Sequence, residues 1–215
     1  GVGLWPELVY TGMTTPDPVL LQHSFRQMLK AGARWCAIEA SSIGIAEHRL
    51  DGTRIRTAVF TNFTQDHLDY HGSMQAYWAA KRQLFAWEDL QSAVINIDDP
   101  QGAQLAAELA GSGVDLWTCS RHQPARLRAC PLPSREGLSF ELFEGDALQR
   151  IDTRLTGDFN IDNLLGVIGA LRAQGLPLAQ IATACADLRA VPGRMQQVMP
   201  AGGAGPLPLA VVDYA

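Results

Sequence analysis

Lysine is almost missing from this chain. Of the 17 basic residues, only Lys30 and Lys81 are lysine. Neither follows a glycine, so the G-x-x-x-x-G-K-[ST] loop that cradles nucleotide phosphates is not in the sequence. There is no G-x-S-x-G turn, and no cysteine and histidine stand out as nucleophile and base. Cysteine is scarce as well. The four thiols, Cys36, Cys119, Cys130 and Cys185, form no C-x-x-C pair, and each sits in or beside an apolar run. That spacing argues for buried, reduced thiols over disulfides or a zinc site, and suits a cytoplasmic protein. No apolar run reaches the ~18 residues of a membrane helix, and no signal-peptide pattern is found, so no membrane contact is expected. The net charge of −5 gives no global pull toward nucleic acid.

What is present fits a packed α/β chain. Of the 215 residues, 47% are hydrophobic and 18% charged. Short apolar runs at 36–38, 57–60, 93–97 and 114–118 predict buried strands of a parallel sheet. Helices are predicted at 18–30, with Thr15 or Asp17 as cap and Gly32 as stop, and at 73–87 with Lys81 mid-helix. Further helices follow at 100–109, 163–174 and 178–188. An extended piece is expected at 7–10, a connection at 41–51 and a tight turn at 191–195. Residues 121–135 carry prolines and arginines and read as irregular. Alternating runs at 138–143 and 148–155 around Gly145-Asp146 predict a small antiparallel hairpin. The chain starts without methionine and closes on a strand-like run at 207–212, so a segment of a longer protein is expected.

Ligands of open parallel sheets bind beyond the carboxyl ends of the strands. Glu39, Ser41, Ser42, Thr61, Asn62, Asp66 and His67 follow the predicted strand ends, and Lys81 follows on a helix. Two chemistries stay open from the residues alone. Lys81 is a plain cation in a phosphate or carboxylate site. Or it is a buried neutral amine that takes up carbon dioxide, and the resulting carbamate supplies oxygen to a magnesium ion. Plainer roles stand beside these: helix capping for Thr14 and Thr15, an ion pair with Arg34 or Arg49 for Glu39, and a structural role for His67 and His71.

Several short motifs occur in one order. They are Thr14-Thr15-Pro16-Asp17, Glu39-Ala40-Ser41-Ser42, Phe60-Thr61-Asn62, and Asp66-His67-Leu68-Asp69-Tyr70-His71-Gly72. After them come Ala79-Ala80-Lys81, Gly157-Asp158-Phe159-Asn160 with Asn163, Gly193-Arg194-Met195, and Val212-Asp213-Tyr214-Ala215. Together they resemble the Mur ligases of peptidoglycan synthesis, of the MurE type, over nearly the whole chain. The resemblance implies a Rossmann-like, mainly parallel sheet flanked by helices: the central ATPase domain over 1–210, without its phosphate loop, and the start of a carboxyl-terminal domain at 211–215. It implies roles too. Lys81, as a carbamate, joins Glu39 and His67 at magnesium. Thr14, Thr15, Ser41, Glu47 and Arg49 meet the UDP-MurNAc dipeptide. Asn163 meets adenine, Arg194 a phosphate and Asp213 the ribose. Glu47 stands where the family usually has glutamine, and Ile43 where it has histidine.

The implied reaction is an ATP-dependent amide ligation. ATP phosphorylates the D-glutamate side chain of UDP-MurNAc-L-Ala-D-Glu, and the amine of a third amino acid attacks the acyl phosphate. Lys81 and Arg194 would act in catalysis by charge stabilisation. Which amino acid is added, and the oligomeric state, are not set by these residues. A non-catalytic module that holds a nucleotide-sugar peptide, and a folylpolyglutamate or cyanophycin type of ligase, are the alternatives. Without a lysine-bearing phosphate loop, this 215-residue chain by itself is expected to release no phosphate when given ATP, the muramoyl dipeptide and an amino acid. Robust turnover in a coupled phosphate assay would overturn that expectation.

Overall fold

The computed structural model describes residues 1–134, 137–198 and 210–213. They form two compact units, Gly1–Arg56 with Thr64–Leu90, and Thr57–Phe63 with Gln91–Ala215.

The first unit opens with a hairpin, β1 (Val2–Leu4) against β2 (Glu7–Val9). Helix α1 (Pro18–Lys30) starts where the sequence says it should. Asp17 accepts the N–H groups of Val19 and Leu20, each at 3.0 Å, and Pro18 fills the first turn. Gly32, at φ +95°, ends it. Helix α2 (Ser42–Ala46) lies inside the stretch read as a plain connection, and its N-cap is Ser41, which accepts the Gly44 N–H at 3.0 Å. Helices α3 (Leu68–His71) and α4 (Met74–Arg82) follow, and α4 runs into a 3₁₀ turn, Gln83–Ala86. Lys81 therefore sits in the last turn of α4, not mid-helix. A small core of Leu21, Ile45 and Leu50, packed against Phe25, Ile38, Ile55, Leu84 and Trp87, holds these pieces.

Residues 36–38 are not a strand. Strands exist by pairing, and among the described residues none lies alongside them to complete a ladder. Cys36 is consequently exposed, against the expectation of four buried thiols. Cys119 and Cys185 are buried as expected, and burial pushes the Cys119 thiol up to about 12, so it stays an inert S–H.

The second unit is built on a six-stranded sheet: β3 (Thr57–Phe60), β4 (Ser92–Asn96), β5 (Asp115–Ser120), β6 (Leu127–Leu132), β7 (Leu138–Glu144) and β8 (Ala147–Thr153), in that spatial order. The first three pairings are parallel and the last two antiparallel. The hairpin β7–β8 turns at Gly145-Asp146 as predicted, and it extends the sheet instead of standing apart. Strand β6 corrects the irregular reading of 121–135. Pro131 disguised it, since proline cannot donate to a ladder. The parallel ladder with β5 stops at Ser120↔Arg128, so at Pro131 only β7 pairs alongside.

Helix α5 (Pro100–Leu109) is capped by Asp99, which accepts the Gln101 N–H at 2.8 Å. Helix α6 (Phe159–Ala173) packs across β3 to β6. It starts four residues before the predicted 163, after Gly157 at φ +88°. Helix α7 (Leu178–Cys185) packs on β8. Strands β9 (Gln196–Val198) and β10 (Ala210–Val212) pair antiparallel. The predicted strand from 207 begins outside the described residues.

On α5 and α6, close approach to the sheet needs glycine. A Cβ on Gly169 would lie 2.6 Å from Val94 Cγ1, and one on Gly102 would lie 2.0 Å from the Asn96 carbonyl oxygen and 2.8 Å from Phe60 Cε1. Backbone cannot move aside as a side-chain tip can. Gly102→Ala is expected to cost about 1–3 kcal/mol, read as a lower denaturation midpoint in urea; an unchanged midpoint would mean that α5 does not sit this close to β4.

Candidate functional site

The first unit gathers most of the predicted polar residues. Thr15 is fully buried. Its hydroxyl donates to the Glu39 carbonyl at 2.7 Å, accepts the Ser41 N–H at 3.0 Å, and lies 3.1 Å from Ser41 Oγ. Capping of α1 falls to Asp17 alone, so Thr15 is free to tie the segment before α1 to the segment before α2. Arg49 donates from Nη1 to the Thr15 carbonyl at 3.0 Å and from Nε to Glu47 Oε2 at 2.9 Å, with Nη2 on the same carboxylate oxygen. Tyr70 Oη lies 3.4 Å from Glu47 Oε1. The Glu47 anion, which stands where the family usually has glutamine, is matched by a cation, and Arg49 pairs with Glu47, not with Glu39. Thr14 is exposed, and it lines a cavity of about 560 Å³ with Glu39, Leu21, Phe25 and Cys36.

His67 is the N-cap of α3 and has a left-handed backbone, φ 52°. The one-turn helix that follows ends at His71, so the two histidines do not form a regular pair on one helix face. They meet through Tyr77 instead. The Tyr77 ring takes His67 edge-on at 5.7 Å and His71 stacked at 5.3 Å, and Lys81 Nζ lies 5.2 Å from its centre. His71 Nε2 is 3.0 Å from the buried Ser42 Oγ. Burial pushes the Lys81 ammonium below the usual lysine value, while the Glu39 and Asp66 carboxylates pull the other way. Among the described residues no three His, Cys, Asp or Glu side chains gather as a metal site. A hard cation here would need the oxygens of a modified Lys81 beside Glu39 and His67, and the lowered pKa fits an amine that can react in its neutral form.

The second unit holds a cavity of about 560 Å³ at the start of α6. Asn163, Arg194 and Asp213, three residues scattered over the sequence, share its wall with Leu155, Leu164 and Val191. The fold explains the meeting. Pairing of Val212 with Gln196 brings Asp213 beside the turn that carries Arg194, and Asp213 Oδ1 accepts the Met195 N–H at 3.3 Å. On α6, Asn163 donates to Asn160 Oδ1 at 3.1 Å, and Asn160 donates to the Thr156 carbonyl at 2.7 Å. Asn160 and Arg189 also line this cavity, and neither was singled out from the sequence as a site residue. The i, i+3 spacing of the two asparagines was the available signal. Thr61 and Asn62 belong to this unit; Asn96 Nδ2 donates to the Thr61 carbonyl at 2.9 Å.

A mixed, half-parallel sheet crossed by an apolar helix makes the second unit an α/β domain, with a candidate ligand cavity at that helix's start. A family model, the Mur ligase middle domain, matches residues 2–171, and the chain belongs to that family. It is 58% identical, over its whole length and 42% of the relative's, to the UDP-N-acetylmuramoyl-L-alanyl-D-glutamate–2,6-diaminopimelate ligase of Acidovorax sp. (strain JS42). It is 47% identical to the protein of the same name from Janthinobacterium sp. (strain Marseille), over 95% of this chain and 41% of that one. The chain thus spans less than half the length of these curated relatives. A solved structure of a ligase with that same name superposes with a TM-score of 0.83 at 33% identity, over 92% of this chain and 41% of the other. A MurF structure from Acinetobacter baumannii, 17% identical with a TM-score of 0.60 over 69% of this chain and 32% of its own, shares the fold. Among the described residues, no helix is long and apolar enough to cross a membrane.

Thr15 is the joint of the first unit. Thr15→Val keeps the shape and leaves the Glu39 carbonyl and Ser41 N–H unpaired, so a loss of about 1–3 kcal/mol is expected. Thr15→Ser should recover most of it in the same denaturation experiment. Equal stability of the valine variant would show that water satisfies both groups.

Proposed function

We propose that the chain is the central part of an ATP-dependent ligase that joins an amino acid to UDP-MurNAc-L-Ala-D-Glu in the cytoplasm, for peptidoglycan synthesis. The observation that carries this reading is the cavity beside α6, where Asn163, Arg194 and Asp213 meet. An apolar wall for a flat base, an amide for its edge, a carboxylate for ribose hydroxyls and a cation for phosphate are the parts that an adenine nucleotide needs. The amino acid in the relatives' names is 2,6-diaminopimelate, and we take it as this protein's second substrate. Residues 1–210 are proposed as the central domain and 211–215 as the lead into a carboxyl-terminal one.

In this reading the first unit handles the muramoyl dipeptide through Thr14, Thr15, Ser41, Glu47 and Arg49. Glu39, His67 and a carbamylated Lys81 would hold magnesium, which when bound neutralises phosphate charge. The rest is positioning. Arg194 steadies the phosphate charge of ATP while the D-glutamate carboxylate takes up the phosphoryl group. The incoming amine then attacks the acyl phosphate, and a tetrahedral intermediate expels phosphate. Burial of Lys81 supports the carbamate role, since only the neutral amine reacts with carbon dioxide.

Equilibrium binding of ADP, and of adenosine alone, tests the cavity. Asn163→Ala is expected to weaken both about tenfold, because a base edge left unpaired in a partly apolar cavity costs on the order of 1–2 kcal/mol. Asp213→Asn should weaken both as well. Affinities unchanged in both variants would rule out this cavity as the nucleotide site.

A further inference from the structure

Glu47 is the residue of the first unit whose charge sits least well with an anionic substrate, and its contacts give it a use. Arginine has five N–H donors. In Arg49 the Nε donor and one on Nη2 go to Glu47, and one on Nη1 goes to the Thr15 carbonyl. One N–H on each terminal nitrogen is left. The guanidinium is well covered, with 19% of its side chain exposed, while Glu47 keeps 42%. A loose surface ion pair contributes little and wanders. This one is fixed at both ends. Thr15, whose carbonyl takes Nη1, is itself fully buried and bonded to Glu39 and Ser41, and Tyr70 approaches the other oxygen of Glu47.

We propose that Glu47 is a specificity-determining residue, which holds Arg49 as half of a neutral pair so that the two remaining N–H groups donate to a neutral oxygen of the sugar-peptide, a hydroxyl or amide carbonyl, in place of a phosphate or carboxylate. The proposal rests on the substrate reading above. The physical ground is simple. A bare guanidinium attracts any anion. A guanidinium with a carboxylate on its Nε side presents donors without net charge, and a second anion brought to it meets Glu47 at similar range. Discrimination then favours uncharged acceptors, and binding at this corner loses its dependence on salt.

Glu47→Gln tests this with little change in shape, since the glutamine oxygen can still accept from Arg49 while its NH2 donates to Tyr70 Oη. Two probes separate the two levels of the argument. The first is inorganic phosphate, at fixed ionic strength set with chloride, read as the thermal midpoint of the full chain. Glu47→Gln should show a larger phosphate-dependent rise than the parent, and the double variant Glu47→Gln, Arg49→Gln should fall back to the parent's. A rise no larger than the parent's in the single variant overturns the charge-masking role, whatever the substrate is. The second probe is UDP-MurNAc-L-Ala-D-Glu, followed by calorimetry at low and high salt. Glu47→Gln should bind about tenfold tighter at low salt, and the gain should vanish at high salt. A phosphate response with unchanged dipeptide affinity would show that Arg49 does not meet the substrate, which overturns the specificity role. Absence of dipeptide binding by both proteins overturns the substrate reading and that role with it, and the phosphate result still reports on the pairing.

Discussion

The packing of α6 against the sheet is the constraint on which the second unit depends. Six of its residues, Ile161, Leu164, Leu165, Gly166, Ile168 and Gly169, are buried. The helix lies across β3, β4, β5 and β6, so it touches both the parallel half of the sheet and the first strand of the antiparallel half. Each fully buried leucine or isoleucine contributes about 1.5–3 kcal/mol relative to an exposed one, which makes this face the largest single source of cohesion on the helix. Gly169 lets the helix axis come down onto Val94. The same seating fixes where α6 begins. Asn160 and Asn163 stand in its first turns, so their position is set by hydrophobic packing further along the helix, and the ligand cavity inherits that rigidity.

The first unit is held differently. Its core is small, and polar ties carry much of the order. One buried hydroxyl, Thr15 Oγ, satisfies a carbonyl and an N–H from a segment more than 20 residues away, and the Thr15 carbonyl in turn fixes Arg49. Trp87 adds a third tie by donating to the Thr53 carbonyl at 2.8 Å. Such a network is cooperative, and it fails as a unit when one buried partner is removed. Thr15 and Ser41, which the resemblance marks as substrate contacts, also hold the fold together, so in the proposed reading their geometry is set before any substrate arrives.

Local signals were legible in the sequence wherever one residue decides the outcome. Asp17-Pro18, Asp99-Pro100 and Gly145-Asp146 set a helix start, a helix start and a hairpin turn, and each lies where predicted. The errors arose where a partner decides. Residues 36–38 have the apolar run of a strand and no strand to pair with. Strand β6 has a proline and forms nonetheless, because its partner β7 supplies the ladder. Helix α2 is five residues long, and its Ser41 cap could not be told from a ligand contact by sequence alone. At the site the same division holds. The resemblance singled out Asn163, Arg194 and Asp213, and all three line the α6 cavity, yet they come together only through the β9–β10 pairing and the seating of α6, which no local pattern encodes.

Charge placement links the two units' chemistry. The chain has two lysines, and one of them lies where burial lowers its pKa against the pull of two carboxylates. A guanidinium keeps its proton at any accessible pH, so of the two cations only lysine can present a neutral amine there. Several arginines are held by carboxylates: Arg121 and Arg172 fork onto Asp162 and Glu144, and Arg49 places Nε and Nη2 on one oxygen of Glu47. Those pairs are geometric fasteners that need a permanent charge and a planar donor set. The distribution follows from the chemistry of the two side chains. Arginine serves where a charge must be fixed in place, and Lys81 stands where burial favours the neutral amine.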